Sequence, residues 1–293
     1  MNVILLGHTG FIGRNIYKHL VSAGVNNLIG ISTGEIDLTA ENSHEALMKE
    51  LSPDCIVILC SGVKKQLGDN LNSFEKNITI VNNFIRAISN VHPRKVIFFS
   101  SASVYGEDVS YHAEISEETP AQPRTYYGIA KYTAECLLEK SCADTQTQLM
   151  ILRPPLTYGK DDLSRGYGPT GFTYQAINNE EVILWGDGRE RREFVYVDDV
   201  GRTVNRMINN DYSGILNLVS GKSYTYKDIL DCLKEITGLS INIDSRDRTK
   251  EKVDHHYSNK LFNHVVEDFK FTSLKDGLKD MYQSIVSNKN GKK

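Results

Sequence analysis

Tyr127 and Lys131 stand four residues apart, in a stretch where Ala130, Ala134 and Leu137 or Leu138 recur at helical spacing. Four residues is about one helical turn, so both side chains share a face. An ammonium beside a phenol stabilises the phenolate and lowers the phenol's pKa toward neutrality. Such a pair gives or takes a proton near neutral pH. Upstream, the apolar run Lys95–Ser100 reads as a strand and is followed at once by Ser101. A serine just past a strand end can polarise a substrate oxygen. Tyr126 is the rival tyrosine, but its i+4 position holds Ala130. A Tyr-x-x-x-Lys pair alone arises by chance on many helix surfaces, so its weight depends on what precedes it.

What precedes it is Gly7-His8-Thr9-Gly10-Phe11-Ile12-Gly13, directly after the apolar run Asn2–Leu6 and ahead of Ile12, Ile16 and Leu20 at helical spacing. Each glycine has a physical purpose. Gly7 permits a tight turn, Gly10 lets backbone approach a pyrophosphate, and Gly13 lets the helix pack closely on the sheet. The helix N-terminus then faces the anion. The second strand, Leu28–Ser32, ends in Ser32 and Thr33, where an acidic residue would grip the adenosine ribose of NAD. Without a carboxylate a 2′-phosphate is not repelled, so the cofactor expected is NAD(P), with a lean to NADP(H). Arg14 reads equally well as a cation for that phosphate and as a solvated helix residue.

These groups need elements to hold them. Apolar runs at Leu28–Ser32, Cys55–Cys60, Lys95–Ser100 and Leu149–Leu152 alternate with helical patterns at Ala46–Leu51, Ile78–Ile88 and around Ala130–Leu138. That rhythm predicts an α/β fold, a Rossmann-type doubly wound parallel sheet with helices on both faces. Ligands bind beyond the carboxyl ends of such strands. After Tyr158 the pattern changes. Lys160–Thr173 reads as loop, and short strand-like runs Val182–Trp185 and Phe194–Val197 flank Gly186-Asp187-Gly188. Thr225 with Asp228 and Ser273 with Asp276 read as helix-capping pairs. The expected division is a nucleotide-binding domain over 1–160 and a smaller mixed α/β substrate-binding region over 161–293, with about 194–221 returning to the first part.

Composition narrows the classes further. The chain has 293 residues, 34 Lys and Arg against 37 Asp and Glu, and a net charge of −3. A nucleic-acid or membrane-surface binder needs a basic excess, so neither partner is expected. No apolar run approaches the roughly 20 residues of a membrane span. The chain opens straight into Val3-Ile4-Leu5-Leu6, so no signal peptide is expected. The five cysteines form no metal-ligand spacing and read as buried free thiols in a reducing cytoplasm. No metal is expected.

Together Gly7–Gly13, Ser100–Gly106, Tyr127–Lys131, Arg153–Gly159 and Gly186–Asp199 give the chain a specific likeness. It resembles the extended short-chain dehydrogenase/reductase superfamily, the nucleotide-sugar epimerases, dehydratases and reductases. The resemblance implies a catalytic triad of Ser101, Tyr127 and Lys131. It implies cofactor contacts from Gly7, Gly10, Phe11, Ile12, Gly13, Ser32, Asp37, Leu38, Lys64 and Asn77, besides Tyr127 and Lys131. Asp37 and Leu38 match the pair that meets the adenine. Ser103 and Arg192 match substrate contacts, Arg192 at the substrate diphosphate, which its fork geometry suits. Homodimerisation through the helices around Ile78–Ile88 and Ala130–Leu138 is a further implication.

Within that superfamily, the residues after the serine discriminate. In 4,6-dehydratases an Asp-Glu pair stands where this chain has Ala102 and Ser103, so dehydration lacks its acid and base. GDP-fucose synthases have a cysteine at Ser103 for epimerisation beside the ketone, and a hydroxyl is a far poorer base. Hydride transfer at C4 of a nucleotide-activated sugar is left. Two features favour a 4-ketoreductase: the compact stretch from Leu28 to Cys60, and the non-acidic Ser32 and Thr33. Ser101-Ala102-Ser103-Val104-Tyr105-Gly106 looks equally like the 4-epimerases, which retain NAD. A non-catalytic cofactor sensor would not need all three triad residues. Leu156 replaces an asparagine of many relatives, so one hydrogen bond to the sugar is expected to be absent.

Overall fold

Short, β-branched-rich runs such as Ile56-Val57-Ile58-Leu59 bury side chains on both faces, which suits a parallel sheet covered by helices on each side. The computed structural model describes residues 2–162, 164–249 and 251–290. Its first half alternates β1 (Val3–Leu6), α1 (Phe11–Ser22), β2 (Leu28–Ile31), α2 (Ser43–Glu50), β3 (Ile56–Leu59), α3 (Leu71–Val91), β4 (Lys95–Phe99), α4 (Tyr126–Thr145) and β5 (Gln148–Arg153). There follow β6 (Leu156–Tyr158), α5 (Pro169–Asn178), β7 (Val182–Trp185), β8 (Arg191–Tyr196), α6 (Val197–Met207), β9 (Gly214–Asn217), β10 (Ser223–Thr225), α7 (Tyr226–Thr237), β11 (Ile243–Arg246), α8 (Lys260–Val265) and α9 (Leu274–Asn290).

The main sheet is parallel, in the order β2-β1-β3-β4-β5-β9. The chain leaves β1 toward one edge and returns to its other side at β3. The crevice between their carboxyl ends is therefore the switch point where such sheets take ligands. Alternate residues feed two cores. Ile4, Leu6, Val57, Leu59, Val96 and Phe98 meet Leu47, Phe84, Ile88 and Leu138 of α2, α3 and α4. On the opposite face Val3, Leu5, Ile56, Ile58, Ile97 and Phe99 meet residues of α1, α6 and α8.

The C-terminal stretch interleaves with this sheet. β6, β8 and β10 form a three-stranded sheet, and β7 pairs with β11 rather than with β8. Phe194–Tyr196 thus stays in the smaller sheet, whereas α6 and β9 join the main one, as does Phe262 of α8. Gly201 lets α6 sit against α1, since a Cβ there would lie 2.3 Å from His19 and 2.5 Å from Asn15. The stretch read as loop over 160–173 becomes helical at Pro169, a residue pre-set for the first helical position. Both capping pairs form: Thr225 with Asp228, and Ser273 with Asp276. The cysteines are free, but Cys136 is exposed where a buried thiol was expected. Among the described residues no helix is long and apolar enough to cross a membrane.

One buried ion pair ties α4 to the sheet. Arg153, closing β5, donates to Glu135 through Nε at 2.9 Å and Nη2 at 2.5 Å. Its Nη1 reaches the Tyr105 hydroxyl at 2.9 Å, and Tyr105 donates to Asn217 of β9 at 2.8 Å. Removing one partner of such a pair strands a buried charge and costs about 3–5 kcal/mol. Glu135→Ala should lower unfolding stability by that order in denaturant titration. A loss within error would show that the pair does not hold α4.

Candidate active site

Ser101 follows β4, and the chain then turns through Ala102–Tyr105. Ala102 N donates to the Pro154 carbonyl beyond β5, and Ser103 N donates to Ser101 Oγ at 3.1 Å. This turn stands at the carboxyl edge of the sheet. Helix α4 begins against it. Thr125 Oγ1 caps the Gly128 amide at 3.0 Å, and Asp69 accepts from the Tyr127 amide at 2.9 Å. A Cβ at Gly128 would lie 2.7 Å from the Ser103 carbonyl, so only glycine permits this approach. The Tyr127 phenol consequently comes close enough to the Ser101 hydroxyl for that group to lower its pKa.

Lys131 lies one turn on. It is buried, donates to the Phe99 carbonyl at 2.6 Å, and sits 5.8 Å from the Tyr127 ring centroid. The three proposed catalytic residues therefore converge. Their electrostatics differ from the sequence expectation. Burial pushes the Tyr127 phenol up to about 12, the Ser101 hydroxyl only partly offsets this, and the Glu107 carboxylate adds to the rise. Burial pulls Lys131 down to about 8, with Cys60 and Glu135 opposing. The phenol stays protonated here and is not a near-neutral acid, because desolvation outweighs the effect of Ser101.

The glycine-rich turn faces the switch point. Gly7 adopts φ 86°, and a Cβ there would meet the Ser61 amide nitrogen at 2.9 Å. A Cβ on Gly13 would lie 2.1 Å from the Gly7 carbonyl oxygen. Gly10 differs. Its Cβ would meet only that oxygen, at 3.3 Å. The loop is thus packed at its two ends and open in the middle, a cradle that fits a pyrophosphate approaching backbone. Phe11 and Ile12 open α1, half-buried, and Lys64 stands 5.1 Å from the Phe11 ring centroid while pairing with Asp162 at 3.3 Å. Arg14 is exposed and donates to the Thr9 carbonyl, bracing this loop.

Several expected contacts have other partners. Asn77 spends its amide on Val63, accepting from its N–H at 2.8 Å and donating to its carbonyl at 3.1 Å. It holds the loop after β3 beside Gly62 and Lys131. Leu38 is buried in the core, and Asp37 accepts from Thr39, which lowers its pKa. Arg192 pairs with Glu190, whose other oxygen accepts from Arg248 at 2.6 Å. Arg192 also donates to the Val253 and Glu107 carbonyls, which places it next to the serine turn. Leu156 is exposed on β6.

Three acids escaped the sequence reading. Glu107 accepts from Ser103 Oγ at 3.0 Å and pairs with Lys65. Glu190 joins two arginines. Glu35 curls back onto the end of β2, accepting from the Ser32 amide at 2.7 Å and the Ser32 hydroxyl at 2.6 Å. Those bonds lower its pKa, so it is ionised at neutral pH, and His8 of the glycine-rich turn adds to this. A carboxylate therefore does stand at the end of β2, supplied three residues after Ser32.

The model of the NAD dependent epimerase/dehydratase family matches residues 3–218. The chain is 25% identical over 260 residues to GDP-L-fucose synthase 1 of Arabidopsis thaliana, covering 81% of this chain and 78% of that one. It is 24% identical over 296 residues to GDP-6-deoxy-D-talose 4-dehydrogenase of Aggregatibacter actinomycetemcomitans, covering 97% and 98%. Among solved structures, UDP-glucose 4-epimerase of Thermotoga maritima with UDP-glucose shares the fold at a TM-score of 0.85 and 24% identity, covering 98% and 99%. The UDP-glucose 4-epimerase of Thermus thermophilus in complex with NAD does so at 0.81 and 20%, covering 97% and 98%.

The two glycines make separable demands. Gly13→Ala should unfold at a clearly lower temperature, because its methyl group meets backbone. Gly10→Ala should keep the wild-type melting temperature and weaken nicotinamide dinucleotide binding by roughly ten-fold or more. Equal melting losses in the two variants would contradict the cradle.

Proposed function

Because the chain belongs to the NAD dependent epimerase/dehydratase family, whose relatives here are nucleotide-sugar enzymes, we propose that it is an NAD(P)-dependent oxidoreductase. It acts at C4 of a nucleotide-activated sugar, in the direction of 4-keto reduction. The observation that carries this reading is the convergence of Ser101, Tyr127 and Lys131 beside the open glycine cradle. The direction rests on the compact stretch from Leu28 to Cys60, which resembles that of the reductases, and burial keeps the Tyr127 phenol protonated, as a proton donor must be.

A bound reduced nicotinamide supplies hydride. Ser101 donates a hydrogen bond to the C4 oxygen and Tyr127 gives it a proton. Lys131 keeps its charge below about pH 8 and offsets the phenolate that results. The Gly7–Gly13 turn would hold the pyrophosphate, Asp37 and Leu38 the adenine end, and Tyr127 with Lys131 the nicotinamide ribose. Asn77 holds the Val63 loop under that end. Arg192, bonded to the Glu107 carbonyl just past the serine turn, and Arg248, which shares Glu190 with it, suit the substrate diphosphate. The test is direct. With a nucleotide 4-keto sugar, the protein should consume NAD(P)H stoichiometrically, and Tyr127→Phe should lose at least about 100-fold in kcat. Interconversion of two sugars without net consumption would instead establish a 4-epimerase with retained NAD, a reading that the Ser101–Gly106 sequence also supports.

Cofactor choice follows from Glu35. Its carboxylate lies where an adenosine ribose would meet the end of β2, so it accepts from ribose hydroxyls and repels a 2′-phosphate. NAD(H) is the proposed cofactor. Titration by fluorescence should give a lower Kd for NADH than for NADPH by roughly ten-fold or more. Glu35→Gln should narrow that ratio mainly by tightening NADPH. An unchanged ratio would refute the assignment.

A further inference from the structure

Each reduction leaves Tyr127 one proton short, and a reductase must restore it from water. An epimerase returns the same proton and has no such need. The route from Tyr127 to water is therefore a question that the reductase reading raises. Lys131 beside it is 7% exposed and spends a short bond on the Phe99 carbonyl, so it offers no direct path to solvent.

A line of hydrogen bonds leads the other way. The Ser101 hydroxyl stands close enough to the Tyr127 phenol to lower its pKa. Ser101 Oγ donates to Ser103 Oγ at 3.2 Å. Ser103 Oγ donates to Glu107 Oε1 at 3.0 Å. The Glu107 side chain is 36% exposed, so the line ends in water. Each intermediate group is a hydroxyl, which can accept one proton while giving another. The last is a carboxylate, which can take a proton from water and hand it inward.

We infer that Ser101, Ser103 and Glu107 form a proton relay that recharges Tyr127 after each reduction. The inference rests on the reductase reading. The steps balance. Tyr127 O–H loses its proton to the C4 oxygen. Ser101 Oγ passes its proton to the phenolate and takes one from Ser103 Oγ. The Glu107 carboxylate, ion-paired at rest, first takes a proton from solvent hydronium, then passes that proton to Ser103 Oγ and is a carboxylate again. One proton enters for each hydride consumed. Lys65, paired with Glu107, and Arg192, bonded to the Glu107 carbonyl, set the charge around the entry but are not links in the line. Glu107 is a positioning and relay residue, because it acts through Ser103 and Ser101.

The first turnover needs no recharging, and this separates the relay from a structural role. In stopped flow with a nucleotide 4-keto sugar, Glu107→Gln should oxidise about one equivalent of NAD(P)H per site at the wild-type rate. Its steady state should then run roughly ten-fold or more below wild type. Lys65→Met, which breaks the ion pair but leaves the line intact, should keep the wild-type steady state. An unchanged steady state in Glu107→Gln, or equal slowing of its first and later turnovers, overturns the relay while leaving the reductase reading in place. A wild-type protein that interconverts sugars without consuming NAD(P)H overturns both.

Discussion

Arg153 and Glu135 place two full charges where neither meets water, 3% and 2% exposed, joined by two parallel hydrogen bonds. Moving two ions out of water costs several kcal/mol each, and their attraction offsets this only when the geometry is good. What the pair adds is direction. Helix α4 packs on the sheet through Ala130, Ala134, Leu138 and Cys142, and apolar contact of this kind is only weakly directional. Its outer side carries Ile129, Tyr132 and Leu137, all exposed, so the apolar pattern alone does not choose a face. The bidentate pair does. It sets one turn of α4 against the end of β5, and Lys131 and Tyr127 follow one and two turns earlier. Through Tyr105 the same arginine reaches the serine turn. The relative placement of Ser101, Tyr127 and Lys131 thus depends on one interaction that none of them makes.

The dry interior that this pair helps to close acts on both titrating groups. Desolvation penalises whichever form is charged, so it raises a phenol and lowers an ammonium. Tyr127 is pushed up to about 12 and Lys131 down to about 8. A sequence shows the pairing and suggests the Coulomb effect of Lys131 on Tyr127. It does not show how much water is excluded, and here exclusion is the larger effect. The outcome is a pocket with an acid that stays protonated and a cation that stays charged at pH 7. That combination suits protonation of a ketone oxygen better than abstraction from an alcohol.

Elements with strong local signals were legible. The strands of the main sheet from β1 to β5, the helices between them and both capping pairs follow from periodicity and turn chemistry. So do the glycine-rich turn and the shared face of Tyr127 and Lys131 on α4, because fixed spacing on a regular element becomes fixed geometry. The partners of the C-terminal strands were not legible. β7 pairs with β11 across some 60 residues, and nothing local in Val182–Trp185 distinguishes that pairing from one with β8. Helix α5 was hidden because Pro169 and Gly171 read as loop, although a proline at the first helical position is favourable.

The acids missed in the sequence share one cause. Glu35, Glu107 and Glu190 all sit in turns, and each reaches its place by folding back on a neighbouring element: the end of β2, the serine turn and the arginine pair. A strand or helix converts position in the chain into position in space by a simple period. A turn does not, so the residue that arrives at a strand end need not be the one that follows the strand. The distinction has a functional side. In the proposed reading the hydride chemistry belongs to Ser101, Tyr127 and Lys131, which the sheet and α4 fix. Cofactor preference, proton supply and the charge around the substrate's phosphates are there assigned to loop-borne carboxylates, which lie outside both cores. The net charge of −3 conceals this arrangement, because each of these carboxylates acts on its partners locally, at hydrogen-bond distance.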